Sequence, residues 1–242
     1  MKSSNTYSRD LALVHDLGFS DIATAAANFL KSHLSRSKIT SGLVVDLGCG
    51  SGNLAELMTR HSFDVLGIDH SSSMIRRARM NAPSARFKVA SIHDVDIPTC
   101  QAVICTGEVL SYEFDGPVTV RRVERLVRKV ARSLETGGFF VFDILVLDNR
   151  PQSRVFLEGK NWFVAVEKTL KGSRLSRRVI TFVKDGKNYR RTDETHVVRL
   201  FDCSVIVSVL RRNGFSVKLL KGYNTYRFRK GHVGFLCRRT AG

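Results

Sequence analysis

The residues of this chain that can do chemistry together begin with an acid and a run of glycines. In LVVDLGCGSGN, residues 43–53, an apolar stretch ends at Asp46, and Gly48, Gly50 and Gly52 follow at alternate positions. Such a turn lets the backbone approach a ligand closely and opens onto a helix N-terminus. In a dinucleotide fingerprint the glycines run GxGxxG, the third allowing close helix packing behind a pyrophosphate. Here the third glycine comes one residue early, and Asp46 would repel a pyrophosphate. A carboxylate at that place pairs instead with a cationic amino-acid head group. Asp69, at the end of the next apolar run, suits both hydroxyls of a ribose.

The elements that must hold these groups can be read from periodicity. Ser20 caps a helix whose apolar positions are Ile22, Ala26, Phe29 and Leu30, and a strand then leads into the glycine turn. After it come a helix through Leu54, Leu57 and Met58, a strand over Phe63–Ile68, a helix over Ser71–Met80, and strands at Ala85–Ala90 and Ala102–Cys105. Pro117 predicts the start of the next helix, whose apolar face is Val120, Val123, Val127 and Val130, and Gly137 predicts its end. A fifth strand, Phe139–Asp143, brings a third acid to the same sheet edge. Strands alternating with helices imply a Rossmann-like α/β plan with a mostly parallel sheet covered on both faces. From Asp148 the pattern changes to three strand-like runs without helices, Trp162–Leu170, Leu175–Val183 and Asn188–Leu200, which predicts an antiparallel β-meander insertion. A last helix, Asp202–Asn213, and two strands joined by a loop make the final strand antiparallel to its neighbours. The expected organisation is one domain: a helical cap over 1–40, a core over 41–147, the insertion or lid over 148–200, and the closing elements over 201–242.

An ammonium, a ribose, an adenine and no phosphate describe S-adenosylmethionine. VVDLGCGSGN, VLGIDHSSSM and the fourth strand running into ICTGEVLSY make the chain resemble a class I S-adenosylmethionine-dependent methyltransferase. The resemblance covers Gly42 to Asp143, and the closing helix and strands by plan. It implies a seven-stranded sheet with a reversed last strand, and a cofactor across the ends of the first, second and fourth strands, leaving as S-adenosyl-L-homocysteine. Position by position it implies that Asp46, Gly48, Cys49 and Gly50 hold the methionine part and Asp69 the ribose. His70, Met74, Ser91 and Ile92 then lie by the adenine, and Thr106, Gly107 and Glu108 by the methyl group. Apart from the resemblance, the mixture of Tyr7, Asp10, His15 and Asp16 with apolar residues up to Phe19 suits either a segment that closes over the pocket, with Tyr7 against the cofactor, or a short packed helix. Many relatives carry an acid just after the third strand; this chain has Ala90-Ser91-Ile92, with Asp94 further on.

Methyl transfer from a sulfonium is an in-line displacement that needs alignment, exclusion of water and, for some acceptors, a base. Candidate catalytic residues are His15, Glu108, Tyr112 and His196, and candidate acceptor contacts are Tyr112, Trp162, Arg191 and Glu194. Period two puts Arg190, Thr192, Glu194 and His196 on one strand face, either a polar wall of the active site or an ordinary solvated face. No compact set of residues has metal-ligand spacing. The stretch after the fourth strand lacks the Pro-Pro-Tyr element of relatives that methylate bases or glutamine amides. The meander resembles the elaboration of small-molecule methyltransferases, sugar amine N-methyltransferases among them, so a small O- or N-acceptor is expected. Against this stands a formal charge of +17, with a row of arginines at 121, 125, 128 and 132, which fits an RNA or protein acceptor. A non-catalytic cofactor-binding or scaffold protein is a third reading. The five cysteines form no CxxC pair, residues 1–20 lack a secretory pattern, and no apolar run has membrane-span length. The expectation is a cytoplasmic monomer or homodimer.

Overall fold

A computed structural model describes Asp10, Leu11, Val14 and residues 21–147 and 153–240. Helix α1 (Asp21–Arg36) precedes β1 (Gly42–Leu47), α2 (Asn53–Arg60), β2 (Phe63–Asp69), α3 (Ser72–Asn81), β3 (Arg86–Val89), β4 (Cys100–Cys105), α4 (Val120–Ser133) and β5 (Leu134–Leu145). The insertion is β6 (Ser153–Gly159), β7 (Trp162–Lys171), β8 (Arg174–Asp185) and β9 (Asn188–Arg199). Then come α5 (Cys203–Arg212), β10 (Phe215–Leu220), the short pair β11 (Gly222–Tyr223) and β12 (Tyr226–Arg227), and β13 (His232–Arg239).

Seven strands form the main sheet in the order β10-β13-β5-β4-β1-β2-β3. Strands β1 to β5 pair in parallel, and β13 runs antiparallel to both β5 and β10. This is the Rossmann-like plan with a reversed last strand that the resemblance implied. The central strands are buried on both faces because apolar layers cover each side. Val123, Leu126, Val127 and Val130 of α4 and Ile206, Val209 and Leu210 of α5 form one layer, and Phe29, Leu30 and Leu34 of α1 with Leu54 and Met58 of α2 form the other. Among the described residues no helix is long and apolar enough to cross a membrane.

Two expectations about α4 are corrected. Its cap is Thr119, whose hydroxyl accepts from the Arg122 amide at 3.2 Å, so Pro117 lies ahead of the helix and not in its first turn. Gly137 does not end the helix. Between β4 and β5 the pairing jumps from Cys100 with Leu134 to Ala102 with Phe139, and Gly137, at φ 83°, sits in the intervening bulge. The insertion has four strands, not three: β6 pairs with β7 from Ser153↔Lys168 to Gly159↔Trp162. Its alternation, Val155 and Leu157 half-buried against exposed Arg154, Phe156 and Glu158, is short and mixed with charge, which hides a strand in the sequence. Ser20, Tyr7 and His15 lie outside the described residues.

Candidate functional site

The cavity opens at the C-terminal ends of β1, β2 and β4, and the glycine turn is its floor. The amides of Gly48 and Cys49 donate to the Ile68 carbonyl at 2.7 and 3.0 Å, tying the turn to β2. Gly48, at φ 77°, passes so close to Val109 that a Cβ would fall 2.5 Å from its methyl carbons. Gly50, at φ 52°, has open space where a Cβ would be, as does Gly107, at φ 81°, after β4. The two glycines thus leave room on either side of the cavity.

Two carboxylates face this space. Asp69 accepts from the Gly50 amide at 2.9 Å through Oδ2 and from the Ser71 amide at 2.8 Å through Oδ1. Each oxygen keeps a lone pair for a further donor. Burial nonetheless raises its pKa, against the lowering by those amides. Asp46 is more extreme: it is buried, its Oδ2 has no hydrogen-bond partner, and burial together with the charge of Asp69 raises its pKa to about 8. A buried carboxyl in this state is costly unless a cation or donor reaches it. The Cys49 thiol beside them is likewise pushed up, by burial and then by the two acids.

The opposite wall is aromatic. Phe114 lies parallel to Tyr112, ring centroids 4.6 Å apart, and to His70 at 6.4 Å, and Ser91 donates to the Asp115 carboxylate at the rim. Asp115 is also paired with Arg122 at 3.0 Å. Of the residues singled out from sequence, Asp46, Gly48, Cys49, Gly50, Asp69, His70, Met74, Ser91, Ile92, Thr106, Gly107 and Tyr112 line the cavity. Phe114, Asp115, Val109, His93, Asn53 and Ile22 line it as well, and sequence reasoning missed them. Phe114, two residues from Tyr112, was the one with a signal to follow.

The remaining candidates lie elsewhere. Glu108, in a left-handed conformation at φ 65°, turns to Arg177 of β8 at 2.7 Å. Arg177 also donates to the Tyr112 hydroxyl at 3.2 Å. His196 is buried, pairs with Glu194 at 3.2 Å, and packs roughly perpendicular to the Tyr112 and Phe114 rings of the cavity wall, centroids 6.0 and 5.2 Å away. Trp162 packs with Leu11, Val14, Val164 and Val183, away from the cavity. Arg191 pairs with Phe182 and belongs to the opposite face of the meander, where it is exposed and bound to Asp193 at 2.8 Å. Period two had already separated it from Arg190 and Thr192.

Asp143, at the end of β5, is fully buried and holds the loop after β4. It accepts from the amides of Gly107 at 3.0 Å and Glu108 at 2.7 Å, from the Tyr223 hydroxyl at 3.0 Å, and from His232 Nε2 at 2.7 Å. Burial alone would lower the His232 pKa; the bond to Asp143 and its charge outweigh that and raise it.

Residues 44–138 match the family model described as "Methyltransferase domain". The chain is 33% identical over 120 residues to the ubiquinone biosynthesis O-methyltransferase of Alkalilimnicola ehrlichii, an alignment covering 47% of this chain and 44% of that protein. The chain spans about half the length of the curated relatives it matches. Among solved structures, a S-adenosylmethionine-dependent methyltransferase from Clostridium acetobutylicum superposes with TM-score 0.83 at 20% identity, covering 98% of this chain and all of that one. CalS10 of Micromonospora echinaspora, an amino pentose methyltransferase with bound cofactor, superposes with TM-score 0.74 at 20% identity over 95% of each chain. The fold is that of the class I methyltransferases.

Proposed function

We propose that this protein is an S-adenosylmethionine-dependent methyltransferase acting on an oxygen or nitrogen atom of a small metabolite. The observation that carries the reading is the unpartnered, buried Asp46 Oδ2 beside Asp69 in a cavity floored by the glycine turn. That pair fits a ligand with an ammonium at one end and a ribose at the other. The Asp46 carboxylate pairs with the ammonium, and the free lone pairs of Asp69 accept from the ribose hydroxyls. His70, Met74, Ile92 and Phe114 offer apolar and aromatic surface for an adenine ring.

When bound, the cofactor supplies a methyl group on a positively charged sulfur, open to in-line attack. The chain's own part is alignment and exclusion of water. Asp143 fixes the Gly107-Glu108 turn through both amides, and the Tyr112 and Phe114 rings close one side. The Tyr112 hydroxyl accepts from Arg177, which ties this wall of the cavity to β8. His196, paired with Glu194, stands behind the Tyr112 and Phe114 rings, 6.0 and 5.2 Å away between centroids, and is our candidate base for the acceptor's proton. A small acceptor is supported by the enclosed aromatic wall and by relatives described as an O-methyltransferase of ubiquinone biosynthesis and an amino pentose methyltransferase.

Titration calorimetry with S-adenosyl-L-homocysteine, followed by incubation of the protein with methyl-labelled donor and a cell extract, tests both halves. We expect binding, and label in the fraction of small molecules. No heat of binding overturns the cofactor assignment, and label confined to RNA or protein overturns the small acceptor.

A further inference from the structure

The nucleobase of the proposed cofactor makes a demand that the two acids at the glycine turn leave unmet. Adenine carries an exocyclic amine with two N–H donors, and a donor drawn into a half-closed cavity needs an acceptor there. In the cofactor reading Asp46 and Asp69 are taken up by the ammonium and the ribose. One more carboxylate lines the cavity among the described residues, that of Asp115. It follows Phe114, whose ring lies parallel to that of His70, the neighbour of Asp69 in sequence. Ser91, its partner at the rim, stands two residues beyond Val89, which is level with Asp69 in the sheet. Asp115 therefore belongs to the end of the cavity where a base attached to the ribose lies.

Two neighbours hold it in place. Ser91 of the loop after β3 donates to Oδ2, and Arg122 of α4 pairs with the same oxygen at 3.0 Å. Arg122 also donates through Nη1 to the Asp115 and Gly116 carbonyls at 3.4 and 3.2 Å, so side chain and backbone are fixed together. These contacts orient the carboxylate and occupy one oxygen, while Oδ1 receives no donor from the described residues. Asp94, the acid that follows β3 most closely in sequence, is exposed and does not line the cavity. We infer that Asp115, held by Ser91 and Arg122, accepts the adenine amine through Oδ1, so that the segment ahead of α4 supplies the acid that the end of β3 lacks.

His93 is the rival for this role. It lines the same cavity, its amide donates to the Ser91 hydroxyl at 3.1 Å, and both of its ring nitrogens lack a hydrogen-bond partner. Burial, and after it the charge of Arg122, lower its pKa to about 4, so the ring is neutral with one donor and one acceptor. For a neutral amine, a carboxylate is the stronger acceptor of the two.

The inference rests on the cofactor reading, and calorimetry with two probes separates them. One probe is S-adenosyl-L-homocysteine, and the other is its analogue whose purine carries hydrogen in place of the amino group. The wild type is expected to bind the first about tenfold tighter, because one hydrogen bond to a charged group goes with the amine. Asp115→Ala is expected to weaken the first probe by that factor and leave the second unchanged, so that the two bind alike. Asp115→Asn, which keeps the shape and one acceptor oxygen, is expected to fall between. Equal binding of both probes by the wild type overturns the inference and leaves the cofactor reading standing, whereas binding of neither overturns both. If Asp115→Ala weakens both probes alike, the carboxylate only braces the rim. A preference lost in His93→Leu but kept in Asp115→Ala gives the amine to His93. Either result overturns the assignment.

Discussion

Asp46 ties ligand binding to the proton. With a pKa raised to about 8 by burial and by Asp69, it is protonated in the free protein at neutral pH. Pairing with an ammonium requires the carboxylate, so binding releases a proton, and affinity for S-adenosyl-L-homocysteine should rise as pH increases from 6 to about 8, by at most tenfold per unit, then level off. Calorimetry in buffers of different ionisation enthalpy would count the proton, and Asp46→Asn should abolish the dependence. Asp69→Ala removes the acceptor for two backbone amides as well as for the ribose. At about 1.5–3 kcal/mol per charged hydrogen bond, binding should weaken at least tenfold to a hundredfold in the same assay. These two acids and the glycines between them were legible because their chemistry is local, set by one turn and one strand end. His196 and Trp162 were not, since residues far apart in sequence, Phe114 for one and Leu11 and Val14 for the other, decide what stands between them and the cavity.

At the scale of elements, Asp143 joins β5 and β13 to the loop after β4. Replacing it with alanine leaves two amides, a buried tyrosine hydroxyl and His232 without their acceptor, and should cost about 2–4 kcal/mol of stability by chemical denaturation. His232 adds a pH dependence of known sign. Its folded pKa lies above its unfolded value of about 6.5, so its contribution is full below that value and fades as pH rises through the folded pKa. Denaturation midpoints of wild type and His232→Gln should therefore converge on the alkaline side. The sheet itself was readable from alternating strands and helices. The bulge at Gly137 was not, because a glycine with positive φ serves a bulge as well as a helix end, and only the pairing partner separates the two. Strand β6 escaped notice for a related reason: its pairing with β7, not its composition, makes it a strand.

At the scale of the molecule, the charge of +17 predicts loose attraction to any polyanion. Unstructured RNA should be retained at low salt and released by about 0.2 M salt, without accepting labelled methyl groups; a gel shift and a scintillation count distinguish retention from reaction. One further consequence follows from the left-handed backbone at Glu108. A glycine there would relieve about 1 kcal/mol of backbone strain while giving up the ion pair with Arg177 that links the main sheet to the meander. A library randomised at this position and selected for heat resistance alone should drift to glycine or asparagine, whereas one selected for turnover should keep the acid. The same codon would thus record which of the two pressures a lineage has met.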